Sequence, residues 1–389
     1  MPTHLAAVSP AQGQRFEIQT RPTPKPGPGE LLIAVKSVAL NPVDHIMRDQ
    51  GLFITTYPTV IGFDLSGLVL EVGSDVPTGN TENDSGLSFH PGTTRVAAYA
   101  SFVLHGCNPD YAAFQERCLV PWQHAVPLPD EEMSWNHAAT LPVAAQVPLC
   151  AWDALGIPRL GAVADSGSNP HATVDHGLDA EGRKKERKQK EALLIWGASS
   201  SVGTMGVQSS RLLKEDPNSS FAAVYATAGS TNMKYVSSLG ADRVFDYKDS
   251  RVVDMIVSAA REDDLVIRHC FLAIGDLASC QAVLEAFLEE GEGGERRAKI
   301  ASAPPVPADA DVVDGVEVIF LRPSADEGER LKQFHYWMGT WLRENLVKKV
   351  VKPSPEPTIV GKGLGAINAG LDMLLQGVSC TKLVVEVEQ

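Results

Sequence analysis

Cysteine is scarce and unpaired: the six in 389 residues (Cys107, Cys118, Cys150, Cys270, Cys280 and Cys380) form no CxxC motif. In a chain of this length that excludes a disulfide framework and points to reduced thiols in a cytoplasmic setting. Positive charge is also in deficit. The 34 Lys and Arg face 48 Asp and Glu, for a formal net charge of −14, which argues against nucleic acid or an anionic membrane as the main partner. No apolar run approaches the roughly 18 residues that a membrane-spanning helix needs. "MPTHLAAVSP" lacks the basic-then-apolar order of a secretory signal.

What remains is a globular composition, 44% hydrophobic with 33 glycines and 26 prolines, and length enough for two domains. Residues 1 to about 150 carry short β runs broken by Pro and Gly: "ELLIAVKSVAL" (30–40), "LSGLVLEVGSDV" (65–76) and "GTTRVAAYA" (92–100). The pattern turns helical over 133–155. From Ala192 onward strands alternate with helices, the strands being "LLIW" (193–196), "AAVYAT" (222–227), "RVFDY" (243–247), "IRHCFLAI" (267–274) and "RAKIASA" (297–303). That alternation predicts a doubly wound parallel sheet. A helix over about 326–347, a second in "AINAGLDMLLQG" and a strand in "KLVVEVE" follow. The division expected is 1–150, 151–325 and 326–389. The polar stretch 158–190 ends in "RKKERKQK"; it suits either an anionic partner or a solvated insertion, and its Glu and Gln interruptions favour the insertion.

One segment suggests chemistry. In "EALLIWGASSSVGTMGVQSSRLL" (191–213) a buried strand runs into a turn and a helix. A dinucleotide turn needs a sharp bend, close approach to a pyrophosphate and free N–H groups at a helix start. Ala198, Ser200 and Gly203 stand where three glycines are usual, and small residues still permit that approach. Ser199, Ser200, Ser201, Val202 and Gly203 are the candidate phosphate cradle. An ordinary strand-to-helix turn is the plain alternative. At the end of the next strand, an NAD site places an acid on the ribose 2′-hydroxyl. Thr227, Ala228, Gly229 and Ser230 offer none. Ser230, Lys234 and Tyr235 suit a 2′-phosphate instead, which favours NADPH; Lys234 also reads as a solvated helix residue.

Several motifs occur together in order: "NPVDH" (41–45), "GFDLSGLVLEVG" (62–73), "PGTTRV" (91–96), "AAFQERCLVP" (112–121), "AATLPVAAQ" (138–146), "WGASSSVGTMGVQ" (196–208), "SLGADRVFDYKD" (238–249) and "GVSCTKLVVEV" (377–387). With them the chain resembles the medium-chain dehydrogenase/reductase superfamily, and within it the fungal trans-acting enoyl reductases that serve polyketide synthases. The resemblance implies an α/β fold: a GroES-like β-rich domain, a Rossmann domain, and a C-terminal segment returning to the first. The active site would lie in the cleft between domains.

Zinc-dependent members of that superfamily hold metal through positions that here carry Asn41 and Phe63, with a third in "AAQVP". Asp64 alone cannot supply the three ligands a catalytic zinc needs, so no metal is expected. Zinc-free members use NADPH to reduce polarised double bonds. Ile46 stands where many relatives have a Lys, and Leu52 and Phe53 stand where mitochondrial enoyl reductases have a Tyr. The polar candidates left for catalysis are Asn41, His45 and Arg48, with Tyr57 behind them and Asp44 as a brace. The resemblance also implies that Thr140 and Val143 approach the nicotinamide, as do Leu272, Ala273, Ile274 and Ala301 to Pro304. Phe320 and Leu321 would form an apolar wall, and Lys382 would reach a cofactor or substrate phosphate. The expected function is NADPH-dependent reduction of an enoyl thioester, in trans to a polyketide synthase or its acyl carrier domain. The alternatives are a stand-alone quinone or enone reductase and a redox-silent NADPH binder.

Overall fold

The computed structural model describes residues 2–79, 87–160, 190–288 and 298–387. The insertion expected over 158–190 falls almost wholly outside the described residues. In chain order the first strands are β1 (Thr3–Ser9), β2 (Glu17–Pro22), β3 (Glu30–Ala39), β4 (Thr59–Val60), β5 (Asp64–Val72), β6 (Arg95–Tyr99), β7 (Arg117–Pro121) and β8 (Ala125–Pro127). They continue as β9 (Glu191–Trp196), β10 (Phe221–Ala228), β11 (Arg243–Asp246), β12 (Val266–Leu272), β13 (Ala298–Ser302), β14 (Val316–Phe320), β15 (Pro357–Lys362) and β16 (Lys382–Glu386). The helices are α1 (Pro42–Gln50), α2 (Trp135–Ala139), α3 (Leu141–Leu155), α4 (Ser201–Glu215) and α5 (Met233–Ser238). Then come α6 (Val252–Glu262), α7 (Leu277–Glu285), α8 (Glu327–Phe334), α9 (Arg343–Val347) and α10 (Ile367–Gln376).

Two compact units result. The first comprises Met1–Cys150, Ala198–Gly206 and Arg322–Gln389, and the second Ala151–Gly197 and Val207–Leu321. In the first, a sheet runs β15-β16-β3-β5-β6-β8, with β7 also on β3. Strand β3 is its axle because every residue of "ELLIAVKSVA" except Glu30 and Lys36 is buried. Both of its edges are taken: Ala39 pairs with Asp64 of β5 and with Val384 of β16. Helix α1 starts directly beyond that junction. Pro42 presets its first turn, Asp44 favours its N-terminus, and Gly51 ends it at φ 72°, a left-handed position that suits glycine.

The second unit holds a six-stranded parallel sheet in the order β11-β10-β9-β12-β13-β14. Connections run outward in both directions from β9, so the switch point lies between β9 and β12. This is the doubly wound sheet expected. Strand β9 is buried along its whole length, as a parallel strand covered on both faces must be. Tyr225, Phe245, Ile256, Val283 and Leu284 fill one side of the core, each apolar side chain contributing about 1.5–3 kcal/mol on full burial. Strand β14 was not foreseen as a strand. It is a short edge element, mostly half-buried, and lacks the continuous apolar run of its neighbours.

The helix expected over 326–347 is present but not uniform. Between α8 and α9, residues His335–Leu342 widen into π-helical turns, a geometry that propensity does not signal. Among the described residues no helix is long and apolar enough to cross a membrane.

Candidate active site

The junction of β3, β5 and β16 in the first unit concentrates buried polar groups. The Lys382 ammonium lies 2.6 Å from Asn41 Oδ1 and 3.0 Å from Asp64 Oδ2. Asn41 Nδ2 donates to Asp64 Oδ2 at 3.0 Å, and the Val143 N–H donates to Asp64 Oδ1 at 2.7 Å. Asn41 and Lys382 are each 3% exposed and Asp64 is fully buried. Three sequence-distant segments therefore meet at one amide.

Asp44 completes the cluster. Its Oδ2 accepts the Asn41 backbone N–H at 2.7 Å, closing the first turn of α1, while its buried Oδ1 has no partner. Burial pushes its carboxyl up to about 7; nearby Asp64 adds to the rise, and the Asn41 hydrogen bonds and Lys382 oppose it. Lys382 bonds directly to Asp64, so its charge offsets only part of the effect of burial on Asp44. Beside this cluster, the Phe63 ring packs at 5.3 Å from Phe102 and 5.6 Å from Tyr99.

The second unit presents the carboxyl ends of its strands, where open α/β sheets bind ligands. At the end of β9, Gly197 has φ 77°, and a Cβ there would stand 2.3 Å from Ile274 O. At the end of β12, Gly275 has φ 122°, and a Cβ there would stand 2.8 Å from Trp196 Nε1. These two glycines interlock the central strand ends at the switch point. The Gly197 N–H donates to Thr227 Oγ1 at 2.9 Å, so the end of β10 braces the same turn. Helix α4 follows, with the Gly203 N–H donating to Ser200 Oγ at 3.1 Å as an N-cap bond. The Thr204 N–H donates to Ser200 O at 2.8 Å and closes the same first turn.

The match of residues 27–130 to the alcohol dehydrogenase GroES-like domain agrees with the first unit. A protein of Aspergillus flavipes named trans-enoyl reductase tndF is 38% identical over 386 residues, spanning 98% of each chain. Trans-enoyl reductase tazE of Aspergillus terreus is 37% identical over 85% of this chain and 95% of its own. The chain belongs to the trans-enoyl reductases of the medium-chain dehydrogenase/reductase superfamily. The fold agrees with a solved alcohol dehydrogenase superfamily protein from Novosphingobium aromaticivorans, at TM-score 0.71 and 17% identity, covering 99% of this chain and 100% of that one. The reductase is an oxidoreductase, and its family binds a nicotinamide cofactor.

In this reductase the expected site residues fall into both units. Ser199, Ser200, Ser201, Val202 and Gly203 form the turn and first residues of α4 in the first unit. Thr140, 1% exposed, donates its hydroxyl to His137 O at 2.7 Å, and half-buried Val143 is tied to Asp64 through its N–H. In the second unit, Leu272 is buried at the end of β12 and Ile274 is 51% exposed just beyond it. Ala301 is buried in β13, and Pro304 O accepts the Ser302 hydroxyl at 2.8 Å. Ser230 and Lys234 are exposed after β10 and Tyr235 is half-buried. No carboxylate lies between Ala228 and Tyr235; Asp246, ending the neighbouring β11, accepts the Lys248 backbone N–H.

Two of the expected site residues have partners of their own. Arg48 is not a free cation near Asn41: its guanidinium binds Asp49 at 2.7 Å and Asp372 of α10 at 2.8 Å. Seven residues along α1 from Asn41, it fastens that helix instead. The Lys382 ammonium, expected to reach a phosphate, is buried on Asn41 and Asp64. His45 is half-buried within α1, and its ring makes no hydrogen bond or ion pair to a side chain among the described residues. Where zinc-dependent relatives place ligands, Asn41 carries a hydrogen bond from an ammonium and Phe63 a phenyl ring. Among the described residues no group of three His, Cys, Asp or Glu side chains could hold a metal ion. Sequence reasoning passed over Gly197 and Gly275; a glycine after each of two buried strands was the available signal.

Proposed function

We propose that this trans-enoyl reductase uses NADPH to saturate the C=C bond of an α,β-unsaturated acyl thioester, presented in trans by a polyketide synthase or its acyl carrier domain in the cytoplasm. The observation that carries the reading is the Asn41 cluster: a fixed amide donor at a position where metal-dependent relatives have a ligand. A nicotinamide held at the turn that follows β9 would supply the hydride for the β carbon. The chain's own residues then have a smaller task. An N–H donor must meet the charge that develops on the thioester oxygen, and apolar side chains must align the acyl chain. The Asn41 amide is the donor, and Phe63 and Val143 are the apolar neighbours. The proton that completes the reduction comes from water.

The preference for NADPH is supported by the acid-free stretch from Ala228 to Tyr235 and by exposed Ser230 and Lys234. The close strand-end packing at Gly197 also suits a pyrophosphate. The test is NADPH consumption with pantetheine enoyl thioesters, followed by mass spectrometry for a gain of two hydrogens. Turnover of simple quinones with inert thioesters would establish the quinone-reductase reading. Tight NADPH binding with neither turnover would establish a redox-silent binder, the reading that Ile46, Leu52 and Phe53 leave open.

A further inference from the structure

We propose that Lys382 and Asp64 are positioning residues that lock the Asn41 side-chain amide, so that its one uncommitted N–H is presented to the reacting carbonyl oxygen. This rests on the enoyl-reductase reading and names the device that would make it work. A carboxamide can be built either way round, but here only one way satisfies its neighbours. Lysine is a donor only and an ionised carboxylate an acceptor only. Oδ1 must therefore face Lys382 at 2.6 Å and Nδ2 must face Asp64 at 3.0 Å.

The accounting leaves one hydrogen. Asn41 Nδ2 carries two, one goes to Asp64 Oδ2, and the second makes no hydrogen bond of normal length among the described residues, although the Asp44 carboxyl, with its Oδ1 unpartnered, lies close to the same amide. Asp64 cannot turn away, because its other oxygen holds the Val143 N–H at 2.7 Å. Lys382 cannot leave, because it is 3% exposed and sits at the start of β16, which is paired to β3. An ammonium on the amide oxygen also draws electron density from the nitrogen, making the remaining N–H a stronger donor. A preoriented donor of this kind acts mainly in the transition state, as the oxygen acquires charge. Lys382 touches neither substrate nor cofactor in this scheme. It acts through Asn41.

The test uses the full-length chain, NADPH and a pantetheine enoyl thioester, with NADPH affinity read separately by fluorescence titration. Lys382→Met should lower kcat roughly 10- to 100-fold while KM and NADPH affinity stay within about threefold. Lys382→Arg, which restores a cationic donor, should recover most of the loss. Asn41→Ala should lower kcat by about the same factor, and the double variant should add little to either single loss. Four results overturn the proposal: an unaffected Lys382→Met, additive losses, no recovery in Lys382→Arg, or NADPH affinity falling in step with kcat. The last is the signature of a phosphate ligand. If Lys382→Met fails to fold, Lys382→Arg and Asn41→Ala still decide: the first must retain turnover and the second must lose kcat alone. A wild-type chain inert toward thioesters and quinones overturns the reading and the proposal together. An active wild type with normal Lys382→Met kinetics overturns the proposal alone.

Discussion

Asp44 and Gly197 illustrate how much a single position carries. The Asp44 carboxyl is raised from 3.8 to about 7 in the folded chain, so the native state binds a proton that the unfolded chain has released. A raised carboxyl contributes stability that is fully present below the unfolded value and is lost as pH rises toward the folded one. Between pH 6 and pH 8 that loss is about 1 kcal/mol. Wild-type chain should melt at a lower temperature at pH 8 than at pH 6, and Asp44→Asn should flatten the difference; matched pH dependence in both would exclude the assignment. At Gly197, an added Cβ meets Ile274 O at 2.3 Å and the φ of 77° disfavours any side chain. Gly197→Ala should cost about 2–4 kcal/mol and weaken NADPH binding at least tenfold, read by thermal melting and fluorescence titration.

At the scale of elements, α1 and α10 are joined by Arg48, which binds Asp372 at 2.8 Å and Asn368 O at 3.3 Å. Arg15 binds the same aspartate at 2.8 Å. If Arg48 is a fastener, Arg48→Met should lower stability by about 2 kcal/mol yet leave kcat at 25 °C within about threefold. A hundredfold fall in kcat with unchanged melting would restore the catalytic role that its place in the sequence suggested. The turn after β10 carries cofactor choice. Lys234→Asp puts a carboxylate where the 2′-phosphate is expected, so the NADPH-to-NADH affinity ratio should fall about tenfold or more. An unchanged ratio would place the 2′-phosphate elsewhere.

At the scale of the whole molecule, thiol chemistry tests the compartment argued from composition. All six cysteines are free; five are buried and Cys380 is half-buried. A thiol reagent should titrate at most one in the native chain and six after denaturation. Reductant should leave the melting temperature unchanged, because no cross-link constrains the unfolded state. A reductant-sensitive melt would mean that the chain forms disulfides after all.

Local pattern by itself determined the doubly wound sheet, because a parallel strand covered on both faces must be continuously apolar, as "LLIW" is. It also determined that the turn after β9 uses small residues. Half-exposed β14 was not legible, since an edge strand needs no continuous apolar run. The partners of Arg48 and Lys382 were decided only by tertiary structure. Both read as available cations in the sequence, and what spends them lies far along the chain: Asp372 is 324 residues from Arg48, and Lys382 is 341 from Asn41. Residue type specifies how many hydrogen bonds a group can make. Which partner receives them is settled when β16 adds to β3 and brings an ammonium, a carboxylate and an amide into one buried place.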